Sequence, residues 1–336
     1  MSNHSKLVVI LGPTASGKTE LALKLAKKFD GEIAGADSRQ IYRGMDIGTG
    51  KPCAKKQKNK KTKKQNFVLC DGIKHYMVDV VDPDSKFSVA EYKEMAIKII
   101  RDILKRGKVP FLVGGTGLYI QAVVDNLEIP HVPPNKKLRA QFEKEFKKAV
   151  ESESQKVMES KVLEKWYKKL LKLDPGAMRV VDPKNSRRII RAIEVCLATH
   201  QPFSKLRRKG EPMFDILQIG IAMPRKGLYE RIDRRVDKMI REGLAEETKW
   251  LFKKYDPESP SMSGIGYKEI GEYLQENKKI RKQENKKLLD ASVQEIKWRT
   301  HAYARRQMTW FRKDGRIVWV KNGKEAEKEI VKWLNC

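Results

Sequence analysis

The chain has 336 residues, 40% of them hydrophobic, with 72 Lys and Arg against 43 Asp and Glu, a net charge of +29. This length and apolar content suffice for a sizeable core and exclude a disordered chain, and the four cysteines (Cys53, Cys70, Cys196, Cys336) form no CxxC pair, so neither a disulfide framework nor a zinc site is expected. The positive surplus points to a polyanionic partner, whereas the absence of any apolar run of roughly 18 residues and of a signal-peptide pattern after "MSNHSKLVVILG" predicts a cytoplasmic protein without a membrane partner.

In chain order, "KLVVIL" reads as a strand and Gly17 to Lys28 as a helix. Between them Gly12, Pro13, Thr14, Ala15, Ser16, Gly17, Lys18 and Thr19 satisfy G-x-x-x-x-G-K-[ST]. Backbone N–H groups of such a loop point at phosphate oxygens and the helix N-terminus adds its positive dipole end. Lys18 would supply a point charge and Thr19 a hydroxyl for Mg²⁺. The motif implies a di- or triphosphate with a metal, and does not say whose. The next strand, "GEIAGAD", ends in Asp37, at the carboxyl edge where ligands of open α/β sheets bind. Asp37 reads as a metal ligand, as a base acting on a second substrate, or as the N-cap of a helical "SRQIYRG". The base is favoured, because Thr19 already offers a metal ligand and "VPFLVGG" ends in Gly114 and Gly115 where a nucleotide hydrolase would carry its acid; Asp79 and Asp82 are fallback metal ligands.

A basic loop at 52–67, with eight lysines from Lys51 to Lys64, interrupts the pattern and cannot form a core. The strand-like "HYMVDVV", a helix from Ser88 to Arg106, the strand "VPFLVGG" and a helix in "TGLYIQAVV" follow. This alternation predicts an α/β fold, a P-loop-type parallel sheet flanked by helices. "GGTGLY" is a second glycine turn, whose glycines would let a ligand approach the backbone and whose Thr116 offers a hydroxyl. From 129 the chain turns into charged helical sequence before the strand "DILQIGIAM" at 215–223. The expected organisation is a core at 1–128, an inserted helical domain at 129–212, and a return to the core with C-terminal helices at 213–336.

Within the insertion, "SRRIIRAIEV" groups Arg187, Arg188 and Arg191, with Ile189, Ile190 and Ile193 packing inward. Arg225 follows a strand and heads a helix, a position fit for clamping an anionic leaving group, or simply a surface arginine. At 297–313, "KWRTHAYARRQMTWFRK" interleaves aromatics with cations, and Lys297, His301 and Arg305 share a helix face that could follow a phosphate backbone. "RIVWV" and a terminal helix close the chain.

Taken together, "GPTASGKT", "ADSRQIYRGMDIGTGKP", "VDPDSKFSVAEY", "LVGGTGLYIQAVV", "RRIIRAIEVCLATHQP", "LYERIDRRVDKMIREGL", "GIGYKEI" and "RRQMTWFRK" resemble the tRNA dimethylallyltransferase family, in order and from about residue 7 to 320. The resemblance implies transfer of the dimethylallyl group of dimethylallyl diphosphate to N6 of the adenosine 3′ of the anticodon, with Mg²⁺, by a monomer acting on a tRNA anticodon stem-loop. It assigns Gly12 to Thr19 to the diphosphate, Lys18 and Arg225 to its neutralisation, Thr19 to Mg²⁺, and Asp37 to the N6 proton. It places Asp37, Ser38, Arg39, Gln40, Thr116, Arg139, Arg187, Arg188, Arg191, Gly266, Tyr267, Lys268, Arg305, Arg306, Gln307, Trp310 and Arg312 where the family meets tRNA. A P-loop kinase, or a prenyltransferase acting on free adenine nucleotides, is the alternative. The chain departs from the family in the basic insertion 53–66, and in His301 and Ala302 where the family commonly has Arg and Gln. No zinc-finger extension follows, which favours a bacterial or organellar type.

Overall fold

The computed structural model describes residues 5–53, 66–152, 154–206, 208–276 and 282–335. The basic arm at 54–65 lies outside the described residues. Contacts divide the chain into a unit formed by Met1–Val124 with Pro212–Cys336 and a second unit, Asp125–Glu211.

The first unit is built on one sheet. Strands β1 (Lys6–Leu11), β2 (Gly31–Ala36), β3 (Phe67–Cys70), β4 (Ile73–Tyr76), β5 (Val109–Gly114), β6 (Asp215–Ile221) and β7 (Ile317–Val320) lie in the order β3-β4-β2-β5-β1-β6-β7. Every neighbouring pair is parallel except β3–β4. Helices α1 (Lys18–Lys28), α2 (Val89–Lys105) and α3 (Gly117–Val124) cover it. Because side chains alternate along a strand, Leu7, Val9 and Leu11 of β1 enter one layer with Tyr92 and Ile100 of α2 and Ile120 of α3, while Val8 and Ile10 enter the other with Ala22, Leu25 and Ala26 of α1. The start of α2 is fixed by a capping box between Ser88 and Glu91.

Of the expected strand "HYMVDVV" only His75 and Tyr76 lie in β4. The backbone leaves the sheet after Tyr76, with left-handed φ at Met77 (61°) and Asp79 (56°). The following residues bond to the loop after β2 instead, Asp79 N donating to Gln40 O (3.1 Å) and Val80 N to Ile41 O (2.7 Å). Upstream, Asp71 and Gly72, both at positive φ, close the β3–β4 hairpin with the backbone of an Asp-Gly type I′ turn.

In the second unit α4 (Lys136–Val150), α5 (Gln155–Leu173) and α6 (Ser186–Thr199) pack around Leu138, Phe142, Trp166, Leu170, Ile189 and Ile193. The chain then re-enters the first unit through β6 and continues as α7 (Arg225–Arg241), α8 (Leu244–Lys254), α9 (Tyr267–Glu276), α10 (Lys282–Phe311), β7 and α11 (Gly323–Leu334). Leu228, Ile232 and Val236 of α7, Leu244, Ile270, Ile296 and Ala304 form a core with Ile41 and Met45. Among the described residues no helix is long and apolar enough to cross a membrane.

The register places the ends of the central strands side by side. Leu11 and Ala36 both face Gly114, and Leu11 also faces Gly220. The loops that follow β1, β2 and β5 therefore leave the sheet at one level, which is what brings residues 12–19, Asp37 and Thr116 together.

Candidate active site

The loop between β1 and α1 turns back on itself. Gly17 sits at φ 92° as the residue before the helix, a conformation glycine adopts without steric cost. The loop is closed internally by Lys18 Nζ donating to Pro13 O at 2.6 Å. Ser16 Oγ is buried without a hydrogen-bond partner, a polar atom inside the loop awaiting one. Two arginines of α7 reach the same loop: Arg235 Nη1 lies 3.5 Å from Thr14 Oγ1 while its Nη2 donates to Thr49 O (3.0 Å), and Arg231 Nη1 donates to Ser16 O (3.4 Å). Burial pushes the Lys18 ammonium down to about 8, opposed by the Asp37 carboxylate and assisted by the Arg235 charge. Arg235 is itself held below its ordinary value by burial, again opposed by Asp37. The loop thus gathers positive charge in a partly dehydrated place, the setting in which an anion is bound most strongly.

Asp37 follows β2. Its Oδ1 accepts from Arg39 N (2.9 Å) and Gln40 N (3.4 Å), so the carboxylate closes a turn. The "SRQIYRG" segment is that turn and not a helix. Thr116 Oγ1 accepts from Ser38 N (3.0 Å) and lies 3.4 Å from Ser38 Oγ, tying the loop after β5 to the loop after β2. Tyr303 of α10 completes the wall: burial pushes its hydroxyl up to about 12, Asp37 adds to this, and Arg39 and the Thr116 hydroxyl oppose it. Beneath lie Tyr92 and Tyr119, stacked at 3.8 Å, with Tyr92 OH donating to Gly35 O (3.0 Å).

The following loop is internally braced. The buried Lys51 ammonium donates to Asp46 Oδ1 (2.7 Å), Asp79 Oδ1 (2.6 Å) and Tyr42 O (2.8 Å). Glu247 of α8 accepts from the backbone N–H of Ile47 (2.9 Å) and from Tyr267 OH (2.6 Å). Of the two fallback metal ligands, Asp79 is a partner of Lys51 and Asp82 pairs with Arg43 (3.4 Å).

Several residues expected at an RNA surface are interior instead. Tyr267 is 1% exposed because its ring packs against Gly48 and its hydroxyl is held by Glu247. Gly266 is also buried, its N–H donating to Glu269 Oε2 (2.7 Å). Gln307 is 6% exposed, bonded to Thr14 N (2.9 Å) and Gly115 O (2.8 Å). In the helical unit Arg139 and Arg191 stay partly exposed but are engaged: Arg139 grips the buried Glu194 with Nε (2.6 Å) and Nη2 (3.0 Å), and Arg191 bonds Glu194 Oε2 (3.4 Å) and Val132 O (2.8 Å). These two arginines satisfy a carboxylate that would otherwise be buried uncompensated. The Lys297–His301–Arg305 face is no open ridge. It lies on α7, where Lys297 pairs with Asp237 (2.6 Å), His301 Nε2 stands 2.9 Å from Asp233 Oδ1, His301 stacks on Tyr229 (4.0 Å), and Arg305 Nη1 donates to Tyr229 OH (2.9 Å).

The remaining candidates are on the outside. Arg225 is exposed at the first turn of α7, its Nε donating to Tyr229 OH (3.0 Å). Arg305, Arg306, Arg312, Lys268 and Arg187 are exposed, and Arg188, Arg39 and Gln40 half-buried. Arg39 is held by Pro260 O and Ser261 O (2.9 and 3.0 Å). Trp310 packs on Gly117 with one edge exposed. The glycine turn after β5 therefore admits protein side chains: a Cβ on Gly115 would fall on Gln307 Nε2, and one on Gly117 on the Trp310 ring. Sequence reasoning missed Arg231 and Arg235. Their signal is an i, i+4 pair of cations on a helix that directly follows the strand beside β1.

A Mg²⁺ ion fits this donor set if it arrives with a diphosphate. No group of three or more His, Cys, Asp or Glu among the described residues builds an all-protein cage, whereas Thr19 in the first turn of α1 and the oxygens of a bound diphosphate are the kind of ligands Mg²⁺ takes while keeping its waters.

The IPP transferase family model matches residues 40–314, and an isopentenyl transferase model matches residues 5–74. The chain is 41% identical over 333 residues to the tRNA dimethylallyltransferase of Acetivibrio thermocellus, covering 98% of this chain and 96% of that one. Over 308 residues it is 41% identical to the tRNA dimethylallyltransferase of a Roseiflexus species, covering 91% and 90%. Among solved structures, the tRNA isopentenylpyrophosphate transferase of Bacillus halodurans matches with a TM-score of 0.64 at 35% identity, covering 98% of this chain and 96% of that one. A eukaryotic dimethylallyltransferase described as acting on tRNA matches with a TM-score of 0.68 at 27% identity, over 94% and 74%. With a family model spanning most of its length and full-length relatives at this identity, the chain belongs to the IPP transferase family.

Proposed function

We propose that the protein transfers the dimethylallyl group from dimethylallyl diphosphate to N6 of the adenosine immediately 3′ of the anticodon in tRNA, as a monomer in the cytoplasm. The observation that carries this reading is the common level at which the loops after β1, β2 and β5 leave the sheet, which sets a phosphate cradle and the Asp37 carboxylate against one another. Both half-sites come from one chain. The loop at residues 12–19 binds the diphosphate through backbone N–H groups and the dipole of α1, with the half-buried Lys18 and Arg235 as cations beside it and Arg225 at the edge. Thr19 and the diphosphate would hold Mg²⁺, which would supply further charge neutralisation.

The adenine leaves its stack to reach the site. Thr116 and Tyr303 border the place of its N6, and Asp37 faces it. Carbon 1 of the allyl group forms a bond to N6 as its bond to the diphosphate oxygen breaks; the bonding pair leaves with the diphosphate, and the N6 proton passes to the Asp37 carboxylate. Exposed Arg187 in the helical unit and Arg306 and Arg312 on α10 offer contacts to the RNA backbone. The test is transfer of label from dimethylallyl diphosphate to unmodified tRNA with Mg²⁺, with free AMP and ATP as parallel acceptors. Labelled N6-dimethylallyladenosine from tRNA alone is expected. Label on a free nucleotide, or ATP turnover without transfer, would replace this reading with one of a small-molecule enzyme.

A further inference from the structure

We propose that Gln307 is a positioning residue that fixes the spacing between the diphosphate cradle and the acceptor side of the site, an inference that rests on the reading above. Tyr303, Gln307 and Trp310 stand at i, i+4 and i+7 on α10 and so form one stripe along the helix. That stripe meets the turn after β5 residue by residue. Gln307 Nε2 donates to Gly115 O at 2.8 Å, Tyr303 approaches the Thr116 hydroxyl, and Trp310 covers Gly117. The same Gln307 amide turns its oxygen the other way and accepts from Thr14 N at 2.9 Å. A single buried side chain therefore joins the loop after β1, which holds the donor, to the loop after β5, whose Thr116 borders the acceptor.

The chemistry suits the amide and no other side chain of that size. One end must accept from an N–H and the other must donate to a carbonyl, which Gln does in one orientation only. The bond also occupies the Thr14 N–H, withdrawing it from the donors the loop can offer a phosphate. Outward from the stripe the helix carries Arg306 and Arg312, so an RNA docked there is referenced to the cradle through the same rigid element.

Two variants separate positioning from other roles. Gln307→Met keeps the volume and removes both bonds. Gln307→Glu keeps the acceptor, and regains the donor only when its carboxyl is protonated, because a carboxylate cannot donate to Gly115 O. At saturating tRNA, Gln307→Met is expected to lower kcat/KM for dimethylallyl diphosphate about 10- to 100-fold, the scale of a small misplacement of reactants, with tRNA Kd within about 3-fold, the change expected of a residue that touches no RNA. The ratio of Gln307→Glu to wild-type kcat/KM is expected to rise about tenfold from pH 8 to pH 5.5 as the donor returns. Wild-type kinetics in Gln307→Met, or a loss confined to tRNA Kd, would overturn the inference alone. If Gln307→Met does not fold, a pH-independent ratio for Gln307→Glu overturns it. Failure of the wild-type protein to transfer any prenyl group would overturn the functional reading and this inference with it.

Discussion

Lys18 offers the sharpest test of the proposed cradle, because its charge is held against the cost of burial. Burial lowers its ammonium from the ordinary 10.5 to about 8 in the ligand-free protein, with Arg235 adding to the drop and Asp37 resisting it. That displacement weakens the preference for the ammonium by about 3 kcal/mol relative to water. A bound diphosphate restores it by supplying the missing counter-charge. In the free enzyme the cation predominates below pH 8 and disappears above it. The value of kcat/KM for the donor reports the free enzyme, so it should hold steady between pH 6.5 and 7.5 and reach about a tenth of its plateau at pH 9. The value of kcat, read with donor bound, should not show that limb.

Linkage gives a second readout with a definite sign. Between pH 8 and 10.5 the unfolded chain binds more protons at Lys18 than the folded protein does, so this residue's contribution to stability increases with pH across that window. Below pH 8 the folded protein carries the cost of a dehydrated cation. Inorganic diphosphate should therefore raise Tm more at pH 7 than at pH 9.5. Replacing Lys18 by Arg, whose guanidinium stays charged, should remove the alkaline limb at the expense of overall rate. A donor kcat/KM flat to pH 9.5 in the wild type, or the same limb persisting in Lys18→Arg, would refute the assignment.

Asp37→Asn retains the oxygen that accepts from Arg39 N and discards the base, so tRNA affinity should stay within a few-fold while single-turnover transfer falls by about 10² to 10⁴; quench-flow with labelled donor measures it. Lys51→Met removes the buried ammonium that donates to Asp46, Asp79 and Tyr42 O and should lower unfolding stability by roughly 3 kcal/mol in urea titrations, the scale of breaking a buried pair. In the helical unit, Arg139→Ala leaves the buried Glu194 short of its bidentate partner and should destabilise that unit by roughly 2 to 4 kcal/mol. Arg187→Ala should leave melting unchanged and reduce the slope of log K for tRNA against log salt by about one. Deleting residues 54–66, which carry most of the lysines between Lys51 and Lys64, should weaken tRNA binding and flatten that slope; an unchanged slope would make the arm irrelevant to RNA.

What could be read in the sequence was what is local. The central strands announce themselves because both faces of a parallel sheet are buried, which turns "KLVVIL" and "VPFLVGG" into continuous apolar runs. The cradle is legible for the same reason, since its donors, cation and helix N-terminus are contiguous. The β3–β4 hairpin was missed because its strands are four residues each and include polar "IKHY", although the Asp-Gly turn was there to be seen.

Long-range pairing is a different matter. Periodicity correctly predicts that Lys297, His301 and Arg305 share a face, but it cannot say what the face meets, and here it meets Asp237, Asp233 and Tyr229 on α7. Nor does any local signal connect Gln307 to Thr14, 293 residues away. The same limit explains Arg139 and Arg191, whose charge is directed at Glu194 inside their own unit. A family motif marks residues that gather near a ligand, and packing divides them into those that touch it and those that hold the others in place. In this chain the second group converges on α10. Gln307 and Trp310 meet the turn that carries Thr116, while Arg305 shares Tyr229 with Arg225, so the helix expected to serve the RNA is bound on its inner side to the loops around Asp37 and the cradle.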